Sequence, residues 1–74
     1  MNEKLIAIFN IVREGAGLDA ITVINDEMDL RKDIEFDSFN LAELTVHLEE
    51  EFGIDIFENG IVSTVGEIKE KLSI

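Results

Sequence analysis

The chain contains no cysteine and no proline, a single histidine, and few cations. Without Cys there is no disulfide framework, no thiol nucleophile and no Cys-ligated metal. One histidine, His47, excludes a multi-histidine zinc site. No window carries the alternating Asp/Asn pattern of a calcium loop, so no specific metal site is expected. Without Pro, the chain is punctuated by Gly and Asn. No apolar run approaches the roughly 18 residues of a membrane span, and no charged-then-apolar leader is present. A soluble, cytoplasmic protein without membrane insertion is therefore expected. Six Lys+Arg stand against 17 Asp+Glu, for a net charge of −11. Such a surface repels nucleic-acid phosphates and anionic bilayers, and it favours basic protein partners reached by electrostatic steering.

With 74 residues, 46% of them hydrophobic, the chain suits one small folded domain over residues 1–74. A thin core of this kind leaves little room for a deep catalytic pocket, and no nucleophile–base pair or metal cluster can be assembled, so no enzyme is expected. The Met1 start and the close at Ile74 suit a separate polypeptide.

Three stretches carry helical periodicity. Leu5, Ile8, Phe9 and Val12 recur at the spacing of an amphipathic helix over residues 2–14, with Gly15 and Gly17 following. Leu41, Leu44, Leu48 and Phe52 form the stripe of a second helix over 38–52, stopped by Gly53. Thr64-Val65-Gly66-Glu67 reads as a capping box opening a third helix that ends at Leu72, with Val65, Ile68 and Leu72 on its apolar face. Residues 57–62 have room for one further helical turn. The stretch from Gly15 to Asp37 is long for a loop. Its Ala20–Ile24 run has strand-like composition but no partner run, and an isolated strand is unstable. A long loop pinned by Leu18, Val23, Leu30 and Ile34 is expected. The fold class is all-α: a small four-helix bundle of three main helices and a short one, with a long first loop.

At about 100° per residue, the second helix has two apolar faces. Phe39, Ala42 and Val46 fall roughly opposite the Leu41–Leu44–Leu48 stripe, flanked by Glu43, Glu49 and Glu50. A thin bundle covers only one face, so the second should be exposed. Periodicity alone leaves two readings, a protein-binding strip rimmed by charge or incidental surface residues. Between Lys32 and Lys69 there is no Lys or Arg, so the helix gains no Lys or Arg pairs along its own length. That one-sided charge favours a basic partner. His47 lies on neither stripe and reads as an exposed residue.

Asp37-Ser38 opens the second helix. Both residue types are favoured helix caps, which is one reading. The other is that Ser38 bears a phosphate ester, stabilised by the free N–H groups and dipole of a helix N-terminus.

The run Asp33-Ile34-Glu35-Phe36-Asp37-Ser38-Phe39, with Leu41-Ala42-Glu43-Leu44 and Leu48-Glu49-Glu50-Glu51-Phe52 after it, resembles the acyl carrier proteins. Their signature is Asp-Ser-Leu at the start of the second helix, which often ends Leu-Glu-Glu-Glu-Phe. Gly53-Ile54-Asp55-Ile56 and Ser63-Thr64-Val65-Gly66-Glu67-Ile68 are similar to the same family's later segments. The resemblance spans the chain and is densest over 33–52.

What the resemblance implies is a covalent shuttle. Ser38 would receive 4′-phosphopantetheine from coenzyme A through a phosphopantetheinyl transferase that uses a divalent cation, which Asp37 helps to hold. The arm's thiol would carry acyl groups as thioesters, a chemistry open to a Cys-free chain because the cofactor supplies the sulfur. Phe39, Ala42, Glu43, Val46, Glu49 and Glu50 would form the surface that docks on basic patches of the transferase and of acyl-transfer enzymes in fatty-acid or related biosynthesis. The carrier would act as a monomer. Phe39 in place of Leu is similar to D-alanyl and other aminoacyl carriers, which makes an aminoacyl cargo the alternative. Glu35-Phe36 replaces the family's usual Gly-small pair, which implies a different turn before Asp37. A cofactor-free acidic adaptor is the rival from outside the family.

Overall fold

The computed structural model describes residues 2–58 and 60–74. Three helices follow in chain order: α1 (Asn2–Gly15), α2 (Ser38–Phe52) and α3 (Val65–Leu72). Leu5, Ile8, Phe9 and Val12 of α1, Leu41, Leu44 and Leu48 of α2, and Val65, Ile68 and Leu72 of α3 are all buried in one core. These are the stripes that the periodicity predicts, and Phe52 packs at their edge. Gly53 ends α2 in the left-handed region at φ 72°, where its N–H donates to the Glu49 carbonyl at 2.7 Å. At that φ an L side chain costs about 1 kcal/mol, and glycine adopts it without that strain, so glycine suits the stop.

A short helix is expected within residues 57–62. Among the described residues this stretch holds a turn over 56–58, and no fourth helix is present; Asn59 lies outside them. The Asp55 carboxylate accepts the Phe57 N–H at 2.9 Å and the Asp55 carbonyl accepts the Glu58 N–H at 3.2 Å. These bonds close the chain into a turn rather than a helix. Ile56 and Val62 still reach the core.

The long loop from 16 to 37 contains no strand, and what anchors it is specific. Asn10 on α1 offers its side-chain amide to Ile21 twice: Nδ2 donates to the Ile21 carbonyl at 2.9 Å, and Oδ1 accepts the Ile21 N–H at 2.8 Å. One amide thus stands in for the neighbouring strand that Ala20–Ile24 lacks. Further along, the loop runs beside the start of α3: Leu30 N–H donates to Ser63, and Val65 and Gly66 N–H donate to Met28 and Asp26. A Cβ on Gly66 would sit 3.0 Å from both the side chain and the carbonyl of Asp26, so this approach excludes a larger residue. Leu30 and Ile34 are buried pins as predicted, and Leu18 is half-buried. Val23 is not a pin. It is 66% exposed, and its neighbour Ile24 takes the core position. The grip of Asn10 on Ile21 sets which residues of the run face inward.

Candidate functional site

The segment leading into α2 is held from both sides. Asp29 Oδ1 accepts the backbone N–H groups of Arg31 at 2.8 Å and Lys32 at 2.9 Å, while Asp33 Oδ2 accepts the N–H of Asp29 at 2.7 Å. The Lys32 and Arg31 amides, in that order of effect, hold the Asp29 carboxyl below its ordinary value of 3.8, because they bond to the charged form. On the other side Arg13 of α1 is buried. Its Nε donates to the Asp19 carbonyl at 2.8 Å and its Nη1 to the Ile34 carbonyl at 2.6 Å, with Glu35 at 3.7 Å from Nη1. Glu35 adopts φ 66°, a left-handed conformation that suits glycine. Phe36, one residue on, is buried edge-on against Phe9 with ring centroids 5.8 Å apart. The Glu35-Phe36 pair thus combines a strained turn with an aromatic plug, and together they deliver Asp37 to the end of the helix.

Asp37 is the N-cap of α2. Its side chain accepts the Asn40 N–H at 2.8 Å, and Asn40 Oδ1 accepts the Asp37 N–H at 3.1 Å, a reciprocal capping box. Ser38 is the first residue of the helix and is exposed. Of the two cap readings, then, only Asp37 fills that role, and Ser38 Oγ makes no capping bond. Instead Oγ accepts from Arg31 Nη2 at 3.2 Å. An exposed primary hydroxyl that the fold does not use is open to esterification.

A groove of about 360 Å³ is lined by Ser38, Leu41, Ala42 and Thr45 of α2, by Phe57, Ile61 and Val62 after it, and by Asp29 and Arg31 of the long loop. Its wall is mostly apolar side chain. Thr45, one of the lining residues, donates its hydroxyl to the Leu41 carbonyl at 2.8 Å. Ile61 is 87% exposed, an unusual position for a large apolar side chain.

Round the helix, Phe39 and Val46 are 77% and 56% exposed, and Ala42, Glu49 and Glu50 are exposed as well, so the second apolar face is uncovered as predicted. Glu43 is half-buried and sits 3.6 Å from His47 Nε2. His47 itself is half-buried rather than exposed, in a shallow hollow with Ile8, Ile11, Glu50 and Glu51. Glu51 is paired with Lys4 at 3.4 Å, whereas Glu49 and Glu50 make no ion pair among the described residues. Among the described residues no cluster of three or more His, Asp or Glu is arranged for a metal ion, and no helix is long and apolar enough to cross a membrane.

The geometry therefore brings Ser38 and Ala42 together at the groove, with Asp37 next to Ser38 as the cap of α2, and leaves Phe39, Val46, Glu49 and Glu50 outside it. Sequence reasoning does not find Arg31, Thr45 or Ile61. Arg31 lies seven residues before Ser38 on a turn of no regular period, and the groove forms only when the 53–64 connection folds back along α2.

A long ester group on Ser38 fits these residues: the acceptor atom is exposed and free of structural duty, a cation stands beside it, and an apolar trough leads away. A family model described as a phosphopantetheine attachment site matches residues 7–72 of the chain. No curated protein and no solved structure gives a significant match.

Proposed function

The chain belongs to the phosphopantetheine attachment family, and from that premise we propose that Ser38 is its attachment serine and that its cargo is an acyl chain. The family attaches 4′-phosphopantetheine covalently to a serine, and its members are carriers rather than enzymes. A phosphopantetheinyl transferase and the enzymes that load and unload the arm are accordingly its partners. The arm supplies the thiol that this Cys-free chain lacks.

The choice of Ser38 rests on its hydroxyl. Of the three serines, Ser73 lies outside the matched residues and caps the end of α3 in a left-handed conformation. Ser63 stands in the connection before Thr64, not at a helix start that follows an acid. Ser38 alone follows an Asp at a helix N-terminus, with its hydroxyl exposed and unused by the cap. Asp37, held in place by Asn40, presents its carboxylate to the transferase and its cation.

The single observation that favours an acyl cargo is the mostly apolar groove beside Ser38. A hydrocarbon chain seated there loses about 25 cal/mol of hydration cost for each Å² of apolar surface covered. An aminoacyl group has little apolar surface to cover, and its ammonium would meet a mostly apolar wall in which Asp29 is the one carboxylate among the lining residues. The segment through Phe57, Ile61 and Val62 serves as the fourth wall of the bundle over that chain. The Phe39 in Asp-Ser-Phe supports the aminoacyl alternative.

The exposed face of Phe39, Ala42 and Val46, with Glu43, Glu49 and Glu50 around it, docks on basic patches of partner enzymes. Glu49 and Glu50, which make no ion pair among the described residues, are ready to pair across an interface. In this reading the protein is a monomeric, cytoplasmic single-domain carrier for fatty-acid or related synthesis.

Arms bearing acetyl, hexanoyl, octanoyl or D-alanyl thioesters, transferred from the matching coenzyme A derivatives, test the cargo. Backbone amide shifts at Ala42, Thr45, Ile61 and Val62 should grow with chain length and stay small for D-alanyl. Equal shifts for all four cargoes would overturn the acyl assignment.

A further inference from the structure

We propose that Arg31 is the residue that holds the phosphodiester of the arm at Ser38 and thereby lays the arm along the groove; this rests on Ser38 being the attachment serine. Arg31 Nη2 donates to Ser38 Oγ at 3.2 Å. Any phosphorus esterified to that oxygen is one bond from it, so its unbridged oxygens come within reach of the same guanidinium. The existing bond is to a neutral hydroxyl. A phosphodiester adds a negative charge for the guanidinium to pair with, and the planar fork of arginine matches phosphate oxygens.

Three features make Arg31 suited to this work. Its backbone is fixed, because Asp29 Oδ1 accepts its N–H at 2.8 Å within a turn closed by the Asp33 N–H and the Asp29 carbonyl at 2.9 Å. Its side chain is uncommitted, since among the described residues it makes no ion pair. It also stands where a cation is most needed. Asp29, Asp33, Glu35 and Asp37 all lie within nine residues of one another in the approach to Ser38, and each repels a phosphate. Only Arg31 and Lys32 oppose them in that segment.

Position then gives direction. Arg31 and Ser38 both line the groove, whereas Phe39 and Val46 lie outside it and are exposed. A phosphate drawn to Arg31 starts the arm on the groove side and away from the Phe39–Val46 face. Arg31 is thus a positioning residue. It leaves attachment itself to the transferase and sets where the attached arm rests.

The test loads the full chain from coenzyme A with a broad-specificity transferase, confirms the gain of mass, and follows two NMR signals. These are the ³¹P resonance of the phosphodiester and the side-chain N–H resonances of Arg31. Loading should shift the Arg31 resonances, and raising the salt should reverse the shift, because the screening length falls from about 30 Å at 0.01 M to about 3 Å at 1 M. In Arg31→Gln, with its melting temperature unchanged, the ³¹P line should move toward the position it takes in the urea-unfolded loaded chain, where the phosphodiester has no fixed contacts, and Arg31→Lys should fall between. A gain of mass with unshifted Arg31 resonances, or with a ³¹P line that Arg31→Gln does not move, would overturn the assignment to Arg31 alone. No gain of mass would overturn the attachment reading, and this proposal with it.

Discussion

Helices α2 and α3 begin alike and use their hydroxyls differently. Each opens with a capping box. At α3 the cap is Thr64, whose Oγ1 accepts the Glu67 N–H at 3.2 Å while the Glu67 carboxylate accepts the Thr64 N–H at 3.1 Å. At α2 the cap is Asp37, answered by Asn40, and the hydroxyl comes one residue later. Thr64 is consumed by the fold. Ser38 is spared by it, because a carboxylate has already taken the capping position. The lesson is that an Asp immediately before a helical serine does structural work that releases the serine for chemistry.

The largest effect expected from that contrast falls on loading. Ser38→Ala should abolish the gain of phosphopantetheine while leaving the melting curve within about 0.5 kcal/mol of the parent, as exposed positions without special bonds usually do. A clear loss of stability would mean that the hydroxyl is structural after all. Thr64→Ala should do the reverse. Loading persists, and stability falls by about 1 kcal/mol, which for a domain of this size lowers the midpoint by roughly 4–8 °C. Thermal unfolding followed by circular dichroism reads both.

Asp37 lies between these cases, and two substitutions separate its duties. Asparagine caps as well as aspartate, so Asp37→Asn should keep the stability and slow the transferase reaction. Asp37→Ala should do both kinds of damage, with about 1 kcal/mol lost from the fold. Equal loading rates for Asp37→Asn and the parent would leave Asp37 a cap alone.

Smaller again is the strain on the approach to α2. Glu35 holds φ 66°, a conformation that costs a non-glycine residue about 1 kcal/mol. Glu35→Gly removes that strain, but it loosens the unfolded chain by about 0.4–1 kcal/mol and forgoes the 3.7 Å approach to Arg13. A gain of at most a few tenths of a kcal/mol in urea titration is the expected net.

The smallest effect concerns acid. The Asp29 carboxyl is held below 3.8 in the folded chain by the Lys32 and Arg31 amides. Its contribution is therefore fully present above that value and is lost as the pH falls through the depressed folded value. Asp29→Asn should lower stability slightly at neutral pH and converge on the parent in acid, which flattens the profile through that range.

How much of this the sequence discloses follows the reach of each interaction. The helices are legible because their core residues repeat at 3.6-residue spacing, and the α2 stripe of Leu41, Leu44 and Leu48 is buried as that spacing requires. Asp37 and Ser38 are legible as a pair, and the exposure of Phe39 and Val46 follows from a bundle too thin to cover both faces of a helix. The loop resists such reading. Val23 and Ile24 are equally apolar, and only the bonds from Asn10, eleven residues upstream of Ile21, decide that Ile24 is the one buried. Arg13 carries no periodic signal as a buried cation, since its partners are backbone carbonyls at Asp19 and Ile34. The groove escapes for the same reason. Its walls come from α2, from Asp29, Leu30 and Arg31 of the long loop, and from Phe57, Ile61, Val62 and Ser63, which meet only in three dimensions, and the expected short helix gives way to a turn made by Asp55.

The most direct test of the account is to locate the arm. The parent chain, treated with coenzyme A, magnesium and a broad-specificity transferase, is digested, and its peptides are mapped by tandem mass spectrometry. The account predicts one phosphopantetheine per chain, carried on Ser38. An arm on Ser63 or Ser73, or a folded chain that several transferases leave unmodified, would contradict it.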